Sequence, residues 1–216
     1  KLAFVDNSMT IRYYDLDKNT TEKIDQGLWM YQGTLANFSV SWSSDSRWIT
    51  YSRAHENRNS ALYIFDTKEN FRRQVTSGYY SDSNPTFGAD DKYIFFLTNR
   101  TFSPVYSDVD NKFIYPNTTN IASVSLRTGI PSLLASKNDT VKIKNDEEKE
   151  KDEDEDEDED EENEEKDKKS EEVKIDFENF EKRVVVLPPT AGNYSNVQAV
   201  SGKVLYHHHP NTGSSQ

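Results

Sequence analysis

Short apolar runs separated by turn residues fill most of this chain, and one hydrophobic–polar pattern returns at a fixed spacing. Ser39-Val-Ser-Trp42 alternates, Asp45-Ser46 is turn chemistry, and Trp48-Ile-Thr-Tyr51 is an aromatic and β-branched run, so the stretch reads as a hairpin. It comes back as Asn84-Pro-Thr-Phe87, Asp90-Asp91 and Tyr93-Ile-Phe-Phe96. Trp42 matches Phe87, Asp45 matches Asp90, Arg47 matches Lys92 and Trp48 matches Tyr93, each 45 residues apart. Leu2-Ala-Phe4 corresponds to Ile49-Thr-Tyr51 and Ile94-Phe-Phe96, which extends the repeat to three units. In the turns the Asp side chain accepts from the backbone two residues on. The next position, Ser46 or Asp91, stands where Gly would take φ > 0 without steric cost.

A period of this size, in units too small to bury their own faces, predicts an all-β fold of β-propeller blades, each a four-stranded antiparallel sheet. Strands are expected at 2–5, 10–15 and 21–24 in a first, partial blade, and at 39–42, 48–53, 61–66 and 72–76 in a complete second one. A third blade takes 85–87, 93–98 and 121–126, and its displaced fourth strand is placed at 183–187. A fourth blade opens at 197–200 and 204–207. Because Lys1 to Val5 already reads as a strand, the chain is expected to be an incomplete propeller from a longer polypeptide. The divisions are 1–134 for the first blades, 135–174 for an insertion, and 175–216 for the end of the third blade and the start of a fourth.

Charge sharpens the picture of the insertion. The formal net charge is −12, yet residues 146–172 hold 20 Asp or Glu and 5 Lys, a net of −15. The rest of the chain has 21 basic against 18 acidic residues, a net of +3. The Asp/Glu tract has too little apolar surface to offset the entropy of ordering, so disorder is expected there. A calcium or histone-type partner and a merely solvated loop both remain open for it, although charge repetition without spaced ligands and Gly supplies no coordination geometry. Neither the near-neutral balance of the remainder nor any Lys/Arg run suggests a nucleic-acid surface, and no nucleic-acid partner is expected. No apolar run approaches the roughly 18 residues of a membrane span, and the absence of Cys excludes thiolate chemistry and Cys-based zinc sites.

In up-and-down blades the second-to-third and inter-blade connections share one end. That end collects Trp29, Tyr31, Tyr79, Tyr80, Phe102, Tyr106, Phe113, Tyr115 and Tyr194 beside Arg53 and Arg100. Aromatics next to Arg suit a peptide-contacting surface, and Arg53, Arg100, Tyr79, Tyr80 and Phe102 are the candidates. The same rings could instead pack the seams between blades. No nucleophile elbow, His-Glu-x-x-His or phosphate-binding loop occurs, so no catalytic residue, cofactor or metal site is assigned. His55 reads as an exposed loop residue. His207 and His209 share a strand face but lack a third ligand.

These repeats resemble those shared by tricorn proteases, TolB proteins and prolyl-oligopeptidase relatives. Further stretches resemble the second, seven-bladed type of propeller of tricorn-type serine peptidases. They are Arg100-Thr-Phe-Ser-Pro104 with Tyr106-Ser107 and, past the charged insertion, Ile175-Asp176, Arg183-Val-Val-Val-Leu-Pro188 and Gly192-Asn-Tyr194. The resemblance implies a peptide-degrading enzyme whose catalytic residues lie outside these 216 residues, assembled as a homo-hexamer. It implies a cytoplasmic location, or a periplasmic one if a leader precedes Lys1. The propeller would gate or guide peptide substrates toward the other domains of the chain. The alternatives are a TolB-like protein-binding propeller of an envelope complex and the propeller of a prolyl-oligopeptidase-like α/β-hydrolase.

Overall fold

A computed structural model describes residues 1–28, 38–106, 113–136 and 172–211. The disorder expected of the acidic tract falls outside these residues, as do Trp29 and Tyr31. The first blade is β1 (Leu2–Val5), β2 (Thr10–Asp15) and β3 (Thr20–Gln26), paired in that order. The second is β4 (Val40–Trp42), β5 (Trp48–Ala54), β6 (Ser60–Asp66) and β7 (Phe71–Gln74), a four-stranded antiparallel meander. The third begins with β8 (Asp82–Phe87) and β9 (Tyr93–Thr98). A small exposed hairpin, β10 (Val105–Tyr106) with β11 (Phe113–Ile114), precedes β12 (Thr119–Ser125).

Successive strand residues point to opposite faces, and here both faces are covered by neighbouring blades. In β5 and β6, Ile49, Tyr51, Ala61, Tyr63 and Phe65 pack toward the first blade, while Trp48, Leu62 and Ile64 pack toward the third. In β9, Ile94 and Phe96 face the second blade, and Phe95 and Leu97 face the opposite way, toward Tyr194 and Val197. This double burial explains the near-continuous apolar runs 61–65 and 93–97. Each blade stacks on the next rather than forming a core of its own.

The repeat turns are built as their residues require. Asp45 Oδ1 accepts the Arg47 N–H at 3.0 Å and Asp90 Oδ1 the Lys92 N–H at 3.1 Å. Ser46 and Asp91 take φ of 56° and 50°, the left-handed conformation that Gly would adopt more cheaply. Phe87 is buried, whereas Trp42, its counterpart, is only half-buried. Trp42 meets Tyr13 edge-on at 6.4 Å in the seam with the first blade.

Two departures from expectation concern residues 172–200. The fourth strand of the third blade and the first of the next form one continuous strand, β13 (Val184–Val200), which pairs with β12 through its first half and with β14 (Lys203–His209) through its second. The run stays extended because the prolines are accommodated in an irregularity: Leu187 pairs Ile121 and Gly192 pairs Thr119, so the intervening residues bulge opposite Asn120. At Gly192 a Cβ would sit 2.8 Å from the Tyr194 ring, so the close approach of that buried ring requires glycine.

The second departure is a strap. Glu172, Val173 and Lys174, assigned by sequence to the insertion, are placed, and Val173 is buried. The Val173 N–H donates to Asp45 Oδ2 at 2.8 Å, and its carbonyl accepts the Trp48 Nε1–H at 2.8 Å in a buried site. Asp176 N–H donates to the Leu126 carbonyl at 2.8 Å. Ile175, Phe177 and Phe180 then fill the second–third seam, and a 3-10 helix at Phe180–Arg183 leads into β13.

Candidate functional site

The innermost strands of three blades converge on a cleft of about 640 Å³. Ser39 and Ser41 come from the second blade, Asn84 and Thr86 from β8, and Asn196 and Gln198 from β13; among the described residues no charged side chain lines it. Asn84 and Asn196 both take left-handed φ, 50° and 52°, and each sits at a register shift within its strand. Asn tolerates this conformation because its short side chain bonds locally. At Asn84 that side chain also ties blades together. Its Nδ2 donates to Ser39 Oγ at 2.8 Å, and its Oδ1 accepts the Val197 N–H at 2.6 Å. Ser41 Oγ accepts the Phe87 N–H at 3.1 Å, a further stitch between the second and third blades. No motif announces this wall in the sequence, although the Asn84 to Asn196 correspondence is visible once β8 and β13 are aligned.

The candidate peptide-contact residues fall into two groups. Tyr79 and Phe102 are 77% and 81% exposed. Tyr79 meets Tyr80 edge-on at 5.0 Å, and Phe102 leans on Tyr115 at 5.9 Å. Arg53 and Arg100 are instead held by carboxylates. Arg53 donates to the buried Asp25 at 2.9 Å and lies 4.8 Å over the Tyr63 ring. Arg100 bonds Asp82 and Glu181, each at 3.1 Å, and lies over Tyr80 at 4.7 Å. Burial raises the Asp82 pKa against the opposing pull of Thr98 and Arg100. Of the other rings, Tyr194 packs in a seam and donates to the Thr190 carbonyl at 2.8 Å. These pairings were invisible in sequence because Asp25 comes from the first blade, Glu181 from the strap, and Asp82 from the neighbouring strand 18 residues before Arg100.

His55, expected to be exposed, is half-buried. Its Nε2 lies 2.8 Å from Tyr63 Oη, and burial lowers its pKa, which favours the neutral ring. Ser195 Oγ lies 2.8 Å from His209 Nε2, a Ser–His contact on the surface. Among the described residues no carboxylate bonds that imidazole, so the orienting third group of a catalytic triad is not built there. Among the described residues no group of three or more His, Cys, Asp or Glu could hold a metal ion.

The comparisons with known proteins agree with the blade architecture. The chain is 29% identical over 137 residues to the tricorn protease of Thermoplasma volcanium, covering 61% of this chain and 13% of that protein. It is 27% identical over 172 residues to tricorn protease homolog 1 of Streptomyces coelicolor, covering 80% and 15%. The chain thus spans only 13% to 15% of the length of these relatives. A crystal structure of the tricorn protease superposes with a TM-score of 0.66 at 18% identity, over 98% of this chain and 18% of that one, a likeness of fold. A family model described as the tricorn protease second beta propeller domain matches residues 1–216. With that match running the full length of the sequence, and with the blade repeat, the seams and the fold in agreement, the chain belongs to the tricorn protease second β-propeller domain family.

Proposed function

We propose that this segment is a non-catalytic part of a serine peptidase, guiding peptide substrates to a site in other domains of the same chain. The observation that carries this reading is the uncharged polar wall where the innermost strands meet. Hydroxyl and amide side chains can exchange hydrogen bonds with a passing main chain, and the lack of fixed charge avoids both trapping and repelling peptides by their side chains. The exposed Tyr79 and Phe102 add an apolar contact surface. A homo-hexameric assembly and a cytoplasmic or periplasmic location belong to the same proposal and rest on family resemblance.

The test alters the wall in the full-length polypeptide. Gln198 is exposed within the cleft, so Gln198→Trp narrows it without disturbing a seam. The expected result is a lower kcat/KM for peptides of ten or more residues and little change for dipeptide substrates. Equal effects on long and short substrates, or none, would remove the guiding role.

A further inference from the structure

Two seams are closed near the same end of the blades by arginine–carboxylate clusters whose charges do not balance in the same way. In the second–third seam Arg100 is shared by two acids, the fully buried Asp82 and the half-buried Glu181, and Glu181 is delivered by the strap. Glu181 also accepts the Ser77 N–H at 2.8 Å. In the first–second seam the count is reversed. Arg53 and Arg72 both bond one oxygen of Asp25, which also accepts the Gln26 N–H, while Tyr51 Oη donates to the other oxygen at 2.9 Å.

Asp25 is saturated by these donors, and the two guanidinium groups retain spare ones. Arg53 Nε is buried with no partner among the described residues, as is Arg100 Nε in the other cluster; what sets this cluster apart is a second arginine on the one acid, with the Arg72 side chain 42% exposed. No second carboxylate pairs with either arginine among the described residues. The stretch 29–37, which follows the strand carrying Asp25, contains no Asp or Glu. The other titratable groups facing the cluster carry no compensating charge: burial lowers the pKa of His55 and raises those of Tyr51 and Tyr63.

We infer that Arg53 and Arg72 form a binding site for a carboxylate supplied from outside the described fold, in the place that Glu181 fills beside Arg100. The ligand class is a peptide carboxylate, from a C-terminus or an acidic side chain, which ties this site to the peptide-guiding reading above. A guanidinium edge fits a carboxylate bidentately, and the stacked Tyr51 and Tyr63 rings, 5.6 Å apart, exclude water from one side of it.

The experiment uses the full-length polypeptide and three dansylated heptapeptides, with binding read by stopped-flow anisotropy before turnover. One peptide carries only its C-terminal carboxylate, one is the C-terminal amide, and one is the amide with a single internal Glu. The free acid should bind about ten- to a hundredfold more tightly than the neutral amide, as for one charge-assisted contact. Matching affinity of the Glu-containing amide would assign the site to either source of carboxylate, and weaker binding would assign it to the terminus. Arg72→Gln should abolish the acid–amide difference. So should Gln74→Glu, which sets a carboxylate on the side chain that already bonds Tyr63 Oη. Arg73→Gln should preserve the difference, since Arg73 lies over Phe177 in the other seam. Equal binding of free acid and neutral amide, or a difference that survives Arg72→Gln, overturns the site. If Gln198→Trp spares long-peptide hydrolysis while Arg72→Gln still removes carboxylate discrimination, the guiding role fails and this site stands.

Discussion

Replacing Trp48 with Phe tests whether the strap is locked into the second–third seam by the contacts described. The indole is 7% exposed, packs against Phe177 at 5.9 Å, carries the Arg47 guanidinium 4.7 Å over its face, and donates to the buried Val173 carbonyl. Phe keeps most of the apolar contact but removes the donor, leaving a buried acceptor without a partner, which costs about 1–3 kcal/mol. Because the strap is held at one end by that bond and by the Asp45 carboxylate, the loss should fall on its local opening rather than on the whole fold. Amide exchange at Val173 and Asp176 should therefore accelerate by about 5- to 150-fold, with the amides of the β2–β3 pairing little changed. Trp48→Ala adds the loss of a buried aromatic, about 3–5 kcal/mol, and should destabilise both adjoining blades. Hydrogen exchange followed by mass spectrometry or NMR reads both variants. Unchanged protection of Val173 and Asp176 in Trp48→Phe, or an equal loss in the first blade, would refute the strap as a separately anchored unit.

Asn84→Ala removes both cross-blade bonds and strains a left-handed backbone, so it should cost about 1–3 kcal/mol in chemical denaturation; Asn84→Gly relieves the strain but not the lost bonds and should recover only part of this. Burial pushes the Asp66 pKa upward, but its bonds from Arg47, Lys68 and Glu69 outweigh burial and leave it lowered. Its contribution is therefore complete above the unfolded carboxylate pKa of about 3.9 and lost as pH falls through the lower folded value. Asp66→Asn should flatten the acid limb of a stability–pH curve, and an unaltered limb would contradict the assignment. Replacing residues 146–171 by a short Gly/Ser linker should leave seam protection intact, because the described contacts of the strap begin at Glu172 with Arg47; loss of protection at Val173 would assign the tract a structural role.

What was legible in the sequence is local and repetitive. The 45-residue spacing, the Asp45 and Asp90 turns and the left-handed Ser46 and Asp91 all follow from rules acting within a few residues, and the strands of the second blade fall where their alternation puts them. What was hidden depends on partners distant in the chain. Val173, Ile175 and Phe177 alternate like a strand, yet they fill a seam without joining a sheet, and only the positions of Trp48 and Asp45 make that arrangement favourable. The ties of Arg53 to Asp25 and of Arg100 to Asp82 and Glu181 were hidden because those acids lie 18 to 81 residues away from them. Trp42 and Phe87 share one repeat position but differ in burial, Phe87 lying within the second–third seam and Trp42 packing against the first–second one.

Under the proposed function peptide-bond chemistry lies outside these 216 residues, and one hydrolysis assay tests that directly. Full-length polypeptide, its Ser195→Ala variant and the purified 216-residue segment are given the same fluorogenic peptides. Turnover should be equal for the first two and absent for the segment, since Ser195 and His209 form only a surface contact. Hydrolysis by the segment alone that disappears with Ser195→Ala would contradict the account.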